Sequence, residues 1–288
     1  MELAGLTLLQ VVDSVASLAL ISVGLAVIFG MMRVINLAHG EFIMLGGFAT
    51  IFAAHFGVNI WASMLVVAPL CVGAFGVVVE RVIIRRLYSR MIDTMLATWG
   101  LSLFMVGAAT MIFGNSVQGV AAPLSSIELG GFGVSLYDQF IVLVCVVVLG
   151  VGYAILRATR WGLIARATMQ NPEMAASLGV SCSRVFAITF AVGAALSGLA
   201  GGVIAPLSGV VPTMGAAYVA KAFITVITGG ASVITGTALS ASLLGAIDTG
   251  ATFATTPVVG DVALLFAAVL LLRILPKGLT GRLFKGAP

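Results

Sequence analysis

Apolar runs of about 20 residues recur from one end of this sequence to the other, and their recurrence fixes the solvent before it fixes the fold. A helix needs about 20 such residues to cross roughly 30 Å of hydrocarbon. The runs lack the strict alternation of barrel strands, so the spanning elements are helices. Hydrophobic residues make up 61% of the chain and charged residues only 8%, which excludes a soluble domain. The expected fold class is all-α and integral to the membrane, a polytopic helical bundle forming one domain over residues 1–288. The 35 glycines, each costing about 1 kcal/mol against Ala in a soluble helix, become close-contact points between helices in lipid.

The few charges set an expected topology. Thirteen of the fourteen Lys and Arg residues fall in four groups: Arg33; Arg81, Arg85, Arg86 and Arg90; Arg157, Arg160, Arg166 and Arg184; Arg273, Lys277, Arg282 and Lys285. The connections near 114–138 and 248–261 carry only Glu128, Asp138, Asp248 and Asp261. By the positive-inside rule the basic groups are cytoplasmic and the amino terminus external. Basic groups at helix ends are what topology alone requires, so the positive net charge does not argue for a nucleic-acid partner. Cys71, Cys145 and Cys182 show no metal-ligand spacing and no disulfide framework. No basic region precedes the first apolar run, so a cleaved signal peptide is not expected.

Spans are expected at about Val11–Phe29, Leu37–Phe56, Trp61–Val79, Thr94–Phe113, Gln139–Leu156, Val185–Ala205 and Val262–Leu275. Between Tyr218 and Ile247, Thr228, Gly229, Gly230 and Gly236 cut the apolar stretch into pieces of about 12 residues, each too short to span comfortably. Two readings fit: discontinuous helices meeting at the glycines and lining a cavity, or a plain re-entrant packing element. The total is eight or nine membrane segments.

The longest polar interruption is RATRWGLIARATMQNPEMAASLGVSCSR, residues 157–184. Asn171 suits an N-cap, Pro172 the first helical position, Glu173 the positive helix end and Gly179 the left-handed stop. These signals bound a two-turn helix, Pro172–Leu178, which at this length is marginal in water and must pack against something. It either covers the bundle's own ends or docks into a groove of a cytosolic partner. Glu173, Ala175, Ala176 and Gly179, in the order E-x-A-A-x-x-G, resemble the coupling motif of permeases from ATP-binding-cassette importers.

Three segments sharpen that resemblance. GLAVIFGMMRVINLAHGEFIMLGGF (24–48), WGLIARATMQNPEMAASLGV (161–180) and KAFITVITGGASVITGTALSASLLG (221–245) resemble the branched-chain amino acid and urea permease family, and the likeness runs from near residue 11 to near residue 278. LYSRMIDTMLATWGLSL (87–103) and the Thr-Gly-Gly at 228–230 lean toward its urea and short-amide branch. The resemblance implies an importer permease working by alternating access in the bacterial inner membrane. It also implies coupling through Arg166, Asn171, Pro172, Glu173, Ala175, Ala176 and Gly179. The implied partners are two cytosolic ATPases that use ATP and Mg, an extracytoplasmic solute-binding protein and a second, related permease. The chain has no G-x-x-x-x-G-K-[ST] loop, so an ATPase must come from a partner, and no cofactor is expected on this chain. An ATP-independent secondary transporter or channel would leave the coupling segment without a task.

Polar residues inside apolar segments are the candidates for a gate or solute path: Asn36, His39, Glu41, Thr98, Trp99, Ser102, Thr225 and Thr228. His39-Gly40-Glu41 lacks the P-C-x-x-C of zinc deaminases, and no metal is expected. On a continuous helix Asn36, His39 and Gly40 share a face with Ile43, with Arg33 one turn below Asn36; they either hold two helices together or line the path. Thr98, Trp99 and Ser102 fall on roughly one side of their helix, as solute contacts or as hydroxyls bonded to their own backbone. Lys221, the one basic residue outside the four groups, either snorkels to the outer surface or pairs with a carboxylate, and snorkelling is the expectation.

Overall fold

The computed structural model describes residues 2–88, 90–129, 132–230 and 232–283. Lys285, and the side chains of Glu128 and Arg282, lie outside what is described. The helices are α1 (Glu2–Met32), α2 (His39–His55), α3 (Ile60–Ala62), α4 (Ala68–Val82), α5 (Met91–Phe113), α6 (Leu136–Ala158), α7 (Arg160–Gln170), α8 (Pro172–Ser177), α9 (Cys182–Ser208), α10 (Gly215–Gly229), α11 (Val233–Ala254), α12 (Pro257–Ile274) and α13 (Gly278–Leu283). A π turn, Ser63–Val67, joins α3 to α4 into one span. A short antiparallel hairpin, β1 (Ser126–Leu129) and β2 (Phe132–Ser135), precedes α6, with Ile127 opposite Val134. Seven helical segments are long and apolar enough to cross a membrane. With the shorter α2 and α10 they make nine among the described residues, within the expected number.

Helix α9 is the hub, packed by α1, α2 and α4. Small residues make that possible. A Cβ on Gly198 would sit 2.7 Å from Val72 of α4, and one on Gly24 of α1 would sit 2.6 Å from the Gly193 carbonyl. A Cβ on Gly201 would collide with the Ile43 carbonyl of α2. Lipid tails give little hydrophobic drive for helix association, so such backbone-to-backbone contact supplies much of the attraction.

The chain does not run as a continuous helix through 33–43. Helix α1 stops at Met32, and Arg33 takes a left-handed φ of 53°. Residues 33–38 then turn back along α1, bringing His39 Nε2 to 2.7 Å from the carbonyl of Ile21. Ile21 stands 11 residues before Met32, about 16 Å along the helix, so α2 begins deep inside the bundle. Helix α10 begins at the same depth, since a Cβ on Gly40 would collide with the carbonyl of Gly215. The broken stretch at 218–247 is thus resolved differently from two equal pieces. Only α10 is short, at 15 residues, and α11 is a full 22-residue helix. Gly230, at φ 83°, makes the turn between them, while Gly236 lies in the first turn of α11 against Gly229 and does not break it.

Gly201→Ala should destabilise the protein by about 1–3 kcal/mol, because α2 and α9 must separate to admit the methyl group. Gly100→Ala, on a stretch of α5 with nothing within 4 Å, should stabilise by up to about 1 kcal/mol. Thermal unfolding in detergent, followed by size-exclusion recovery, checks both.

Candidate functional site

Two shorter helices, α2 of 17 residues and α10 of 15, put their amino termini together deep in the bundle, and the expected polar residues gather around that junction. The first turn of α2 holds Glu41, whose Oε1 lies against Gly215 at the start of α10. Each helix start carries unpaired N–H groups and a partial positive charge, so a carboxylate is well placed between them. Glu41 is 2% exposed, faces the Ser102 hydroxyl, and its Oε2 has no partner; the Asn36 Nδ2 is likewise buried and unpartnered. Asn36 Oδ1 accepts from the N–H of Ala38 at 3.1 Å, so Asn36 caps the approach to α2 rather than lying on it. Thr98 Oγ1 accepts from the Leu37 N–H at 3.1 Å and sits 3.3 Å from the Ile35 carbonyl, serving the extended backbone that has no ladder of its own.

His39 ties three helices. A carbonyl only accepts, so Nε2 carries a proton and donates to Ile21 of α1, while Nδ1 lies 3.1 Å from Ser197 Oγ of α9. Thr225 Oγ1 donates back to the Lys221 carbonyl at 2.8 Å. Thr228 donates to the Ile224 carbonyl at 2.7 Å and meets the Ser240 hydroxyl of α11. Trp99 departs from its expected neighbours: it is 55% exposed, while Thr98 next to it is buried, because one step along a helix turns a side chain by about 100°.

Lys221 does not snorkel. Its Nζ lies 2.5 Å from Asp261 Oδ1 of α12, and the alternative of pairing with a carboxylate holds. Asp248 of α11 faces both, its carboxylate lying over Gly260. Asp261 is the fifth residue of α12, about 6 Å along the helix from its start, at the end opposite the basic group.

The basic end carries the segment expected to couple to an ATPase. Asn171 Oδ1 accepts from the Met174 N–H at 3.0 Å, Pro172 starts α8 and Glu173 sits exposed in its first turn. Gly179, at φ 84°, ends the motif, with the Val180 N–H donating to the Ala175 carbonyl. Ala175 is buried and Ala176 exposed. The helix is one residue shorter than expected, and α7 before it was not anticipated. Thr159 Oγ1 caps α7, and Arg166 Nε donates to the Gly162 carbonyl at 3.3 Å. Met174 and Leu178, exposed by 60% and 78% and one turn apart, make an apolar ridge on this polar segment. Sequence reasoning passed over them, although an i, i+4 apolar pair in a hydrophilic loop is the signal that could have found them.

Three cavities open at this end. One of 470 Å³ lies between Arg33, Met169, Gly230 and Lys277; one of 330 Å³ is lined by Arg157, Arg166 and Ser232; another of 330 Å³ joins Arg33, Arg90 and Pro172. The coupling segment therefore borders both the Arg33 break and the α10–α11 turn. That turn is latched by α13, where Thr280 Oγ1 donates to the Gly229 carbonyl at 2.6 Å and accepts from the Ser232 N–H. Nearby, burial, followed by the hydrogen bond to Glu80 and its negative charge, raises the Tyr88 phenol above its usual range, so it stays protonated and donates to Glu80.

A multi-spanning bundle with two short helices starting inside it and a capped helical segment on its basic face defines a membrane permease. The profile described as "Branched-chain amino acid transport system / permease component" matches residues 7–275, and the chain belongs to that family. It is thereby a permease of an ATP-binding-cassette importer. It is 28% identical over 282 residues to the high-affinity branched-chain amino acid transport system permease protein LivH of Salmonella typhimurium, covering 92% of this chain and 91% of the relative. It is 28% identical over 288 residues to the corresponding BraD of Pseudomonas aeruginosa, with the same shares. A probable LivH of Methanocaldococcus jannaschii is 25% identical, covering 92% and 88%. No solved structure matches significantly.

Thr98→Val should leave the Leu37 N–H without a partner and cost about 1–3 kcal/mol. Thr98→Ser, which keeps the hydroxyl, should lose less. Thermal melts of the two variants in one detergent give the comparison.

Proposed function

We propose that this chain carries branched-chain amino acids into the cell by alternating access. Two cytosolic ATPases drive it, an extracytoplasmic binding protein loads it, and a second, related permease stands beside it. The basic end faces the cytoplasm and the amino terminus the outside, in the inner membrane of a bacterium. The observation that carries the reading is the coupling segment. Helix α8 has a preset cap at both ends, an exposed apolar ridge and a position bordering the break at Arg33, and α7 borders the α10–α11 turn. An ATPase groove that grips Met174 and Leu178 moves α7 and α8 together, and with them the cavities that separate these two irregular turns. Arg166, Asn171, Pro172, Glu173, Ala175, Ala176 and Gly179 then act by shaping and presenting that ridge.

Asn36, His39, Glu41, Thr98, Ser102, Thr225 and Thr228 serve this motion as the hinge between the two short helices. The hydroxyls and ring nitrogens of His39, Thr98, Thr225 and Thr228 mostly bond to backbone, which leaves these four little capacity for a solute. The exposed Trp99 belongs to a contact with lipid or with the second permease. A urea or short-amide cargo is the second reading, favoured by the 87–103 segment. The branched-chain amino acid relatives favour the first reading.

In the complex assembled with its ATPases and binding protein, Leu178→Glu combined with Met174→Glu should abolish leucine-stimulated ATP hydrolysis. Asn171→Ala should weaken it, since losing the cap costs about 1 kcal/mol of a two-turn helix. Stimulation equal to that of the unaltered complex in the double variant would sink the coupling role. Stimulation by urea and not by leucine would assign the other cargo.

A further inference from the structure

We propose that an apolar crevice between α1, α6, α7 and α9, together with the basic cavity it opens into, binds one anionic phospholipid from the leaflet at the basic end. The assignment is independent of the cargo and of the coupling role.

The shape is that of an amphipathic ligand. The 330 Å³ cavity lined by Arg157, Arg166 and Ser232 adjoins an apolar one of 190 Å³, and the two share Met31, Leu156 and Ile234 as a common wall. One site therefore has a charged compartment and an oily one. The oily compartment follows α9, where Val185, Ile188, Thr189, Val192 and Leu196 recur at helical spacing over 11 residues, about 16 Å from the basic end into the bundle. Gly152 of α6 keeps it open, since a Cβ there would come to 3.0 Å from Ile234. Ile155, Trp161 and Ile188, all exposed on the flank of the bundle, stand at its mouth, so a tail enters from the bilayer.

The charges supply the head site. Arg157 Nη1 donates to the Tyr153 hydroxyl at 2.6 Å and Arg166 Nε to the Gly162 carbonyl at 3.3 Å; among the described residues neither meets a carboxylate. Each guanidinium has five N–H donors, so most remain for phosphate oxygens. Val233, Ile234 and Thr235 at the start of α11 line the same cavity, and the first N–H groups of a helix have no partner within it. Among the described residues no acidic side chain lines either cavity, so nothing receives the ammonium of a zwitterionic headgroup, and two uncompensated cations select a net negative one. Topology alone accounts for basic residues at a helix end. It does not account for their opening into a lipid-facing crevice, which a soluble anion would leave unfilled.

Trp161 stands at the crevice and reports its occupant, because brominated acyl chains quench an indole on contact. With Trp61→Phe and Trp99→Phe it is the one indole of the chain. In phosphatidylcholine bilayers, brominated phosphatidylglycerol should quench Trp161 at least about twofold more than brominated phosphatidylcholine at the same mole fraction. Arg157→Gln/Arg166→Gln should remove that preference by removing the head site. Gly152→Leu, which fills the crevice and keeps both arginines, should remove it as well. Equal quenching by the two lipids in the parent protein overturns the proposal, as does a lack of quenching by either, which means that protein covers the crevice. A preference that survives Gly152→Leu also overturns it, since anionic lipid then only gathers at the basic surface. Size-exclusion profiles show which variants stay folded. Should the double arginine variant or Gly152→Leu be lost, Arg157→Gln alone decides: a reduced preference supports the site, and an unchanged one overturns it.

Discussion

Everything in this molecule depends on hiding two helix starts where no water can reach them. The first N–H groups of a helix have no partner within it, and hydrocarbon offers none. Helices α2 and α10 nevertheless begin deep in the bundle, and the extended backbone at 33–38 leads from the end of α1 into the start of α2. This is tolerated because protein surrounds the junction: Thr98 serves the Leu37 N–H, Asn36 that of Ala38, and the Glu41 carboxylate faces the start of α10. Irregular backbone at membrane depth survives only in such an enclosure.

Helix α9 builds the enclosure. Its small residues, Gly193, Ser197, Gly198, Gly201 and Gly202, let α1, α2 and α4 approach until backbone meets backbone. Ser197 does two jobs in this stripe, being small enough for contact with Gly24 and polar enough to meet the His39 ring. The polar residues at the junction are therefore products of the close approach. A helix start can be buried only where neighbouring backbones are near enough for short side chains to bridge to them.

Much of this was legible in the sequence, and the misses share a cause. Span positions followed from apolar length, and the α8 caps at Asn171 and Gly179 followed from local chemistry that needs no tertiary context. The reversal at Arg33 did not, because a left-handed arginine leaves no signature and the segment that follows is as apolar as a helix. Gly236 misled for the opposite reason: it looked like a breaker, and its role is contact with Gly229 across the turn. Lys221 was misplaced because its carboxylate partner lies 40 residues away, on α12, and pairing at that range is invisible to a reading of neighbours. The Trp99 indole was grouped with Thr98 although the two point about 100° apart on a helix.

The polar residues inside the bundle fall into two physical kinds, and the distinction bears on function more than their number does. Thr225, Thr228 and Thr237 return their hydroxyls to carbonyls four residues back, and Thr98 and His39 spend theirs on neighbouring backbone. Such groups are neutral, buried and already bonded, so they fix helix positions and have little left for a passing solute. Lys221 and Asp261 instead form a partly open ion pair between α10 and α12, with Asp261 one turn from the start of its helix. An exposed pair near a helix end contributes little to stability, so the frame that holds α10 in place is the set of bonded hydroxyls.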